Sequence, residues 1–175
     1  MPRHGFELTK NGLFFFEDED DDGIRLCSPL AVPAKTRNFD SNAWGRLIAF
    51  SDAAKHEHEM IVAADVMMRP RKLLAMLANG GLEVERGRAV ARRLEEYIAD
   101  SNPDRLVWHA SKTGWCKPGL FVLPDRAISN GDHEEVIYQA GGPHRYTCAG
   151  TLQEWKHNVG RLCVGNTRLI FAVST

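Results

Sequence analysis

Apolar and polar positions along the chain change period several times, and each change predicts a change of element. Residues 12–17 and 25–35 form apolar, strand-like runs joined by the acidic segment Glu17-Asp18-Glu19-Asp20-Asp21-Asp22-Gly23, whose glycine suits a hairpin turn. A second pair, residues 43–50 and 57–62, flanks Ser51-Asp52-Ala53-Ala54-Lys55, and His56, His58 and Met60 alternate there with Glu57, Glu59 and Ile61. Helical spacing begins at Pro70, where Leu73, Leu74 and Leu77 make an apolar stripe closed by Gly80-Gly81. Across residues 88–100, Val90, Leu94, Tyr97 and Ile98 recur at helical spacing until Ser101-Asn102-Pro103. Strand-like runs return at 106–110, 119–123 and 135–139. Thr151 with Glu154 has the form of a capping box, followed by an apolar face of Leu152, Trp155, Val159, Leu162 and Cys163 that ends at Gly165. Residues 168–173 read as a buried strand. This order predicts a single compact α+β domain over residues 1–175, with a mostly antiparallel sheet and about three helices. Its parts are a β-rich section at 1–66, a helical pair at 69–101, strands at 105–140, and a capped helix with a final strand at 151–175.

Composition adds exclusions. At 43% hydrophobic and 26% charged residues, the 175-residue chain has the balance of an ordinary globular domain. It shows no bilayer-length apolar run and no basic-then-apolar leader, so a cytoplasmic setting without membrane contact is expected. Cys27, Cys116, Cys148 and Cys163 lie far apart without a C-x-x-C pair, which argues against a zinc ribbon or redox dithiol and for reduced thiols. A formal net charge of −1 means that any contact with nucleic acid must come from a local basic patch.

No enzyme class emerges from the motifs. G-R-L-C-V-G-N-T at 160–167 matches a phosphate-binding loop except at the lysine, where Asn166 stands, and it ends a helix where such a loop should join a strand to a helix. A glycine helix stop is the favoured reading. Pro124-Asp125 with Glu154-Trp155-Lys156 resembles the carboxylate set of a metal-dependent nuclease, but Glu154 falls in a helical first turn, where capping explains it. His56 and His58 share one side of a strand and suit a metal, with His109, His133, His144 and His157 as further donors. No closed four-ligand spacing accompanies them, and H-E-H-E is also the pattern of an exposed edge strand. Neither catalytic residues, a metal site nor a cofactor is therefore assigned to this chain.

Basic residues cluster at two helix entrances. Arg69, Arg71 and Lys72 open the first helix, and Arg86, Arg88, Arg92 and Arg93 open the second, where guanidinium groups and free amides can hold phosphates. Pairing of Arg92 with Glu96 is the competing reading. Trp108 and Trp115, near Lys112, have the chemistry to stack on unpaired bases, although a tryptophan in a mixed domain is more often core or interface.

Four pieces occur together: N-A-W-G-R-L-I at 42–48, T-G-W at 113–115, G-L-F-V-L-P at 119–124, and G-T-L-Q-E-W at 150–155 running on to G-N-T-R-L at 165–169. In order and spacing they resemble the amino-terminal portion of the DUF927 family across nearly the whole chain. The resemblance implies a mobile-element protein related to helicase- or primase-associated ATPases, whose phosphate loop, with its ATP and magnesium, would lie beyond Thr175. It transfers no catalytic residue. The resulting expectation is a non-catalytic domain that binds single- or double-stranded DNA, or arranges neighbouring subunits, for the downstream ATPase region of the same polypeptide. A pure protein-interaction module, and a nuclease using Asp125 and Glu154, are the alternatives.

Overall fold

The computed structural model describes residues 5–18, 22–124, 126–130, 135–138 and 149–174, which fall into two compact units, Met1–Gly142 and Pro143–Thr175. Among its described residues the first unit carries three sheets. Strands β1 (Gly5–Thr9), β2 (Gly12–Phe16) and β3 (Ile24–Cys27) form one antiparallel sheet, with Phe15 opposite Ile24 across the expected hairpin. The central sheet orders β11 (Val136–Tyr138), β7 (Leu106–Ala110), β4 (Leu30–Arg37), β5 (Gly45–Ser51) and β6 (Glu57–Ala63). Its β4–β5 and β5–β6 pairs are antiparallel, whereas β4–β7 and β7–β11 are parallel. A third, antiparallel sheet joins β8 (Gly114–Lys117), β9 (Leu120–Val122) and β10 (Ala127–Ser129). The α+β class is thus realised, with antiparallel pairing in the majority.

Three helices accompany these sheets: α1 (Ala64–Met67), α2 (Pro70–Asn79) and α3 (Arg88–Asp100). Pro70 occupies the first turn of α2, where its missing N–H costs nothing. Leu73 and Leu77 of α2 and Val90, Leu94 and Ile98 of α3 are buried in one core with Leu13, Leu26, Leu30, Ile48 and Val62. The expected apolar stripes therefore do face the core. On the opposite face of the central sheet Ala34, Leu47, Ile61 and Val107 pack together, so β5 is buried on both sides. A third cluster, around Ala110, Leu120 and Val122, seats β8–β10.

Part of the N-A-W-G-R-L-I piece is architectural. A Cβ at Gly45 would collide with the Val62 carbonyl oxygen of β6, so only glycine allows this approach. Arg46 reaches back to donate to the carbonyls of Ser101, at 2.9 Å, and Ala99, at 3.3 Å, closing the end of α3 where cations are favoured.

The second unit is helical. The capping box at Thr151 forms: the Glu154 amide donates to Thr151 Oγ1 at 3.2 Å, and the Thr151 amide donates to the Glu154 carboxylate at 2.7 Å. There follow α4 (Leu152–Trp155), a π-helical turn (Lys156–Gly160), α5 (Arg161–Cys163) and α6 (Thr167–Ser174).

Two expectations are corrected. The final strand at 168–173 is helix α6. A short apolar run carries no period that separates strand from helix, and Asn166 starts the helix by accepting the Leu169 amide on Oδ1 at 3.2 Å. The continuous strand at 25–35 divides into β3 and β4, in different sheets, at Ser28-Pro29, where proline withholds an N–H from any ladder. The described residues carry six α-helical segments, of which α1, α4 and α5 are only three or four residues long. Of the apolar face of the capped helix, Leu152, Trp155 and Leu162 are exposed and Val159 and Cys163 half-buried.

Candidate nucleic-acid interface

The entrances of α2 and α3 lie side by side, and between them opens a groove of about 600 Å³ lined by Arg69, Pro70, Arg71, Arg88, Ala91 and Arg92. Neither helix has a side-chain cap or an acidic residue in its first turn, so backbone amides there lack side-chain acceptors. Positive side chains at a helix N-terminus oppose the macrodipole, and here both helices carry them. Such a departure from the local rule marks a functional site when an anion relieves it.

The four arginines differ in freedom. Arg69 donates to Asp65 at 2.9 Å, and Arg92 donates through Nε to Glu96 at 2.8 Å. This pair raises the Arg92 pKa and, with Arg93, lowers that of Glu96, so the competing reading of Arg92 is realised, although the residue still lines the groove. Arg71 and Arg88 are exposed and pair with no carboxylate among the described residues. Lys72 and Arg86 are exposed beside the groove's helices but do not line it. Arg93 lies elsewhere: its guanidinium sits 3.8 Å from the Phe15 ring centroid and contacts Glu96 and Glu17, a packing role that tied it to a distant strand.

Lys112 and Trp115 meet in a second cavity, of about 250 Å³, which Phe39, Asp40, His109 and Cys116 also line. Trp115 is 74% exposed and edge-on to Phe121, whereas Trp108 is buried and stacks on Phe39 with ring centroids 5.4 Å apart. Around Trp108 stand two cations not among the basic clusters at the helix entrances, Arg37 at 4.1 Å and Lys117 at 4.9 Å from the ring centroid. Arg37 also reaches Trp44, at 5.6 Å. Arg37 lies on β4, Trp108 on β7 and Trp115 with Lys117 on β8, so no local motif joins the whole set, and only the aromatic–basic alternation from Lys112 to Lys117 is visible locally.

The remaining candidates resolve as follows. The Asn166 position of the imitation phosphate loop lies between two helices, after Gly165 at φ +76°, which is the geometry of a helix stop followed by a new start. Glu154 is occupied by its cap, whose amide and hydroxyl donors lower its pKa, and Asp125 lies outside the described residues. β6 is an edge strand, as H-E-H-E suggests, and His56 and His58 both contact Asp52. Among the described residues no group of three or more His, Cys, Asp or Glu is placed to hold a metal ion, while His133, His144 and Cys148 lie outside them. Cys27, Cys116 and Cys163 are free, and burial pushes the Cys27 thiol up to about 12. Among the described residues no helix is long and apolar enough to cross a membrane.

Comparison with known proteins adds context to this geometry. The model of DUF927, a domain of unknown function, matches residues 6–175. Among solved structures the chain is similar to one of Cch from SCCmec type IV, described as an active helicase, at a TM-score of 0.58 and 17% identity. The likeness covers 93% of this chain and 30% of that one, and at this identity it shows a shared fold. No curated protein matches.

Proposed function

The chain belongs to the DUF927 family, and from that premise we propose that it is a non-catalytic domain that holds DNA for a larger, ATP-driven DNA-processing protein acting in the cytoplasm. One observation carries the reading: two neighbouring helix entrances, both without side-chain caps, converge on a groove bordered by four arginines, two of them unpaired. The overall charge of −1 does not draw the chain to a polyanion, so this local patch supplies the attraction. The shared fold with part of a helicase supports the setting. Nucleotide hydrolysis is not assigned to residues 160–167, where Asn166 stands in place of the phosphate-loop lysine.

The groove reading predicts DNA binding that weakens steeply with salt, because each phosphate contact releases counterions. Replacing both Arg71 and Arg88 by Ala should lower affinity about tenfold and reduce the salt slope by roughly two. Anisotropy titrations of labelled DNA at several salt concentrations measure both. Unchanged affinity in the double variant, or binding insensitive to salt, would sink the reading.

A second reading, assembly with neighbouring subunits, has its own support. Leu152, Trp155, Leu162, Val164, Leu169 and Ile170 are all exposed in the second unit, an apolar surface of the kind that marks protein contacts. It requires the arginine variant to behave as wild type towards DNA while sedimentation shows self-association that a Leu162→Asp change abolishes.

A further inference from the structure

We propose that the cavity between loop 38–40 and residues 109–116 is a stacking pocket for an unpaired base of single-stranded nucleic acid, with Trp115 as the platform and Lys112 beside it for the adjoining phosphate. The inference rests on the preceding reading only for the class of ligand; the residues are different and lie on other elements. Trp115 is three-quarters exposed at 74%, and its 80° edge contact with Phe121 leaves ring surface open to a planar partner. Lys112 is exposed and without a carboxylate partner among the described residues. A cavity of about 250 Å³ lies just below the usual range of drug-sized pockets, about 300–1,000 Å³. It suits a single ring system, and a duplex offers no base free to enter it.

The surroundings favour a nucleobase over an apolar side chain. Phe39 and Trp108 lie nearly parallel, 11° apart, and Lys117 stands over both rings, at 5.7 and 4.9 Å. This interleaving of rings and cations is the composition of single-strand sites, where stacking binds the base and charge follows the backbone. Asp40 and His109 add polar groups for a base edge. Burial lowers the His109 pKa, and its Nδ1 has no hydrogen-bond partner. The adjoining loop is held under strain: Ser41 at φ 58° and Ala43 at φ 49° adopt a left-handed conformation that side chains disfavour. Paired bonds between Asn38 and Asn42, at 2.6 and 3.0 Å, fix it there. Strain of this kind persists where the surrounding structure enforces a particular shape.

The test compares single-stranded oligo(dT) with an abasic deoxyribose-phosphate oligomer of equal length, titrated into the full 175-residue chain. The pocket predicts a preference of about tenfold for the oligomer that carries bases. Trp115→Ala should erase that preference while leaving the abasic affinity intact, and Trp115→Phe should restore most of it. Because the side chain is so exposed, the alanine variant should keep its fold, which circular dichroism checks. Arg71→Ala with Arg88→Ala should weaken both oligomers equally and keep the preference. Equal binding of the two oligomers by the wild type, or a preference that survives Trp115→Ala, overturns the pocket without touching the groove. If the arginine variant changes nothing while Trp115→Ala erases the preference, the groove fails and the pocket stands.

Discussion

Asp52 organises the turn between β5 and β6. Its carboxylate accepts from the His56 amide at 2.9 Å and contacts His58 Nε2 at 2.8 Å, while its carbonyl accepts from Lys55. The hydrogen bond from His58, followed by that from the His56 amide, holds the Asp52 carboxyl well below the usual carboxylate range. A folded-state pKa lowered in this way stabilises the fold above the unfolded value, about 3.9, and that contribution is lost as pH falls through the folded one. Asp52→Asn should therefore be less stable than wild type at pH 7, and the gap should narrow below about pH 4. Urea melts across pH 2–7 check this, and a gap independent of pH would refute it. The sequence shows the turn and the two histidines, but not that one carboxylate serves them both. Such legibility follows distance along the chain. Thr151 and Glu154 were readable as a cap because the partners stand three residues apart, whereas Arg93 and Arg46 find theirs on elements far away in sequence.

At the scale of elements, α3 carries a conflict between stability and binding. Arg88 sits at its first helical position, against the helix dipole. Arg88→Glu should raise stability by about 0.3–1 kcal/mol by reversing that charge, and should weaken DNA binding more than Arg88→Ala does. Thermal melts and DNA titrations of the same preparation test both halves; a loss in both would mean that Arg88 serves the fold instead. Helices α2 and α3 were visible in advance because ten or more residues display a full apolar period and clear ends. β8 and β10, of four and three residues, are too short to show alternation, and were missed. α6 departs from the strand expected at 168–173 for a related reason: its apolar run fits either period, and Asn166, at the lysine position of a phosphate loop, acts as a cap. The arginine groove was legible as two basic clusters. The stacking pocket is legible only in Lys112 and Trp115, because the loop 38–40, far earlier in the chain, and β7 contribute most of its other members.

In the whole molecule, the buried side chains among the described residues all belong to the first unit, from Leu13 to Val122. Removing residues 143–175 should therefore leave a cooperatively folding protein whose urea midpoint stays close to that of the full chain. Retention of the groove and the pocket would accompany it, since the residues of both precede 143. A truncated chain that exposes its core to a hydrophobic dye would contradict this independence. The parallel contact of β4 with β7 has a different kind of consequence, one of time. Lys35 meets Leu106, so roughly 70 residues must be looped before the sheet can close, and closing a long loop precedes any return from its contacts. On a ribosome the β5–β6 hairpin and α1–α3 emerge first, leaving one edge of β4 open until β7 follows. Synthesis thus passes through an interval in which three strands of the central sheet exist without their neighbour, and the rate of elongation through residues 64–105 sets how long that vulnerable edge waits.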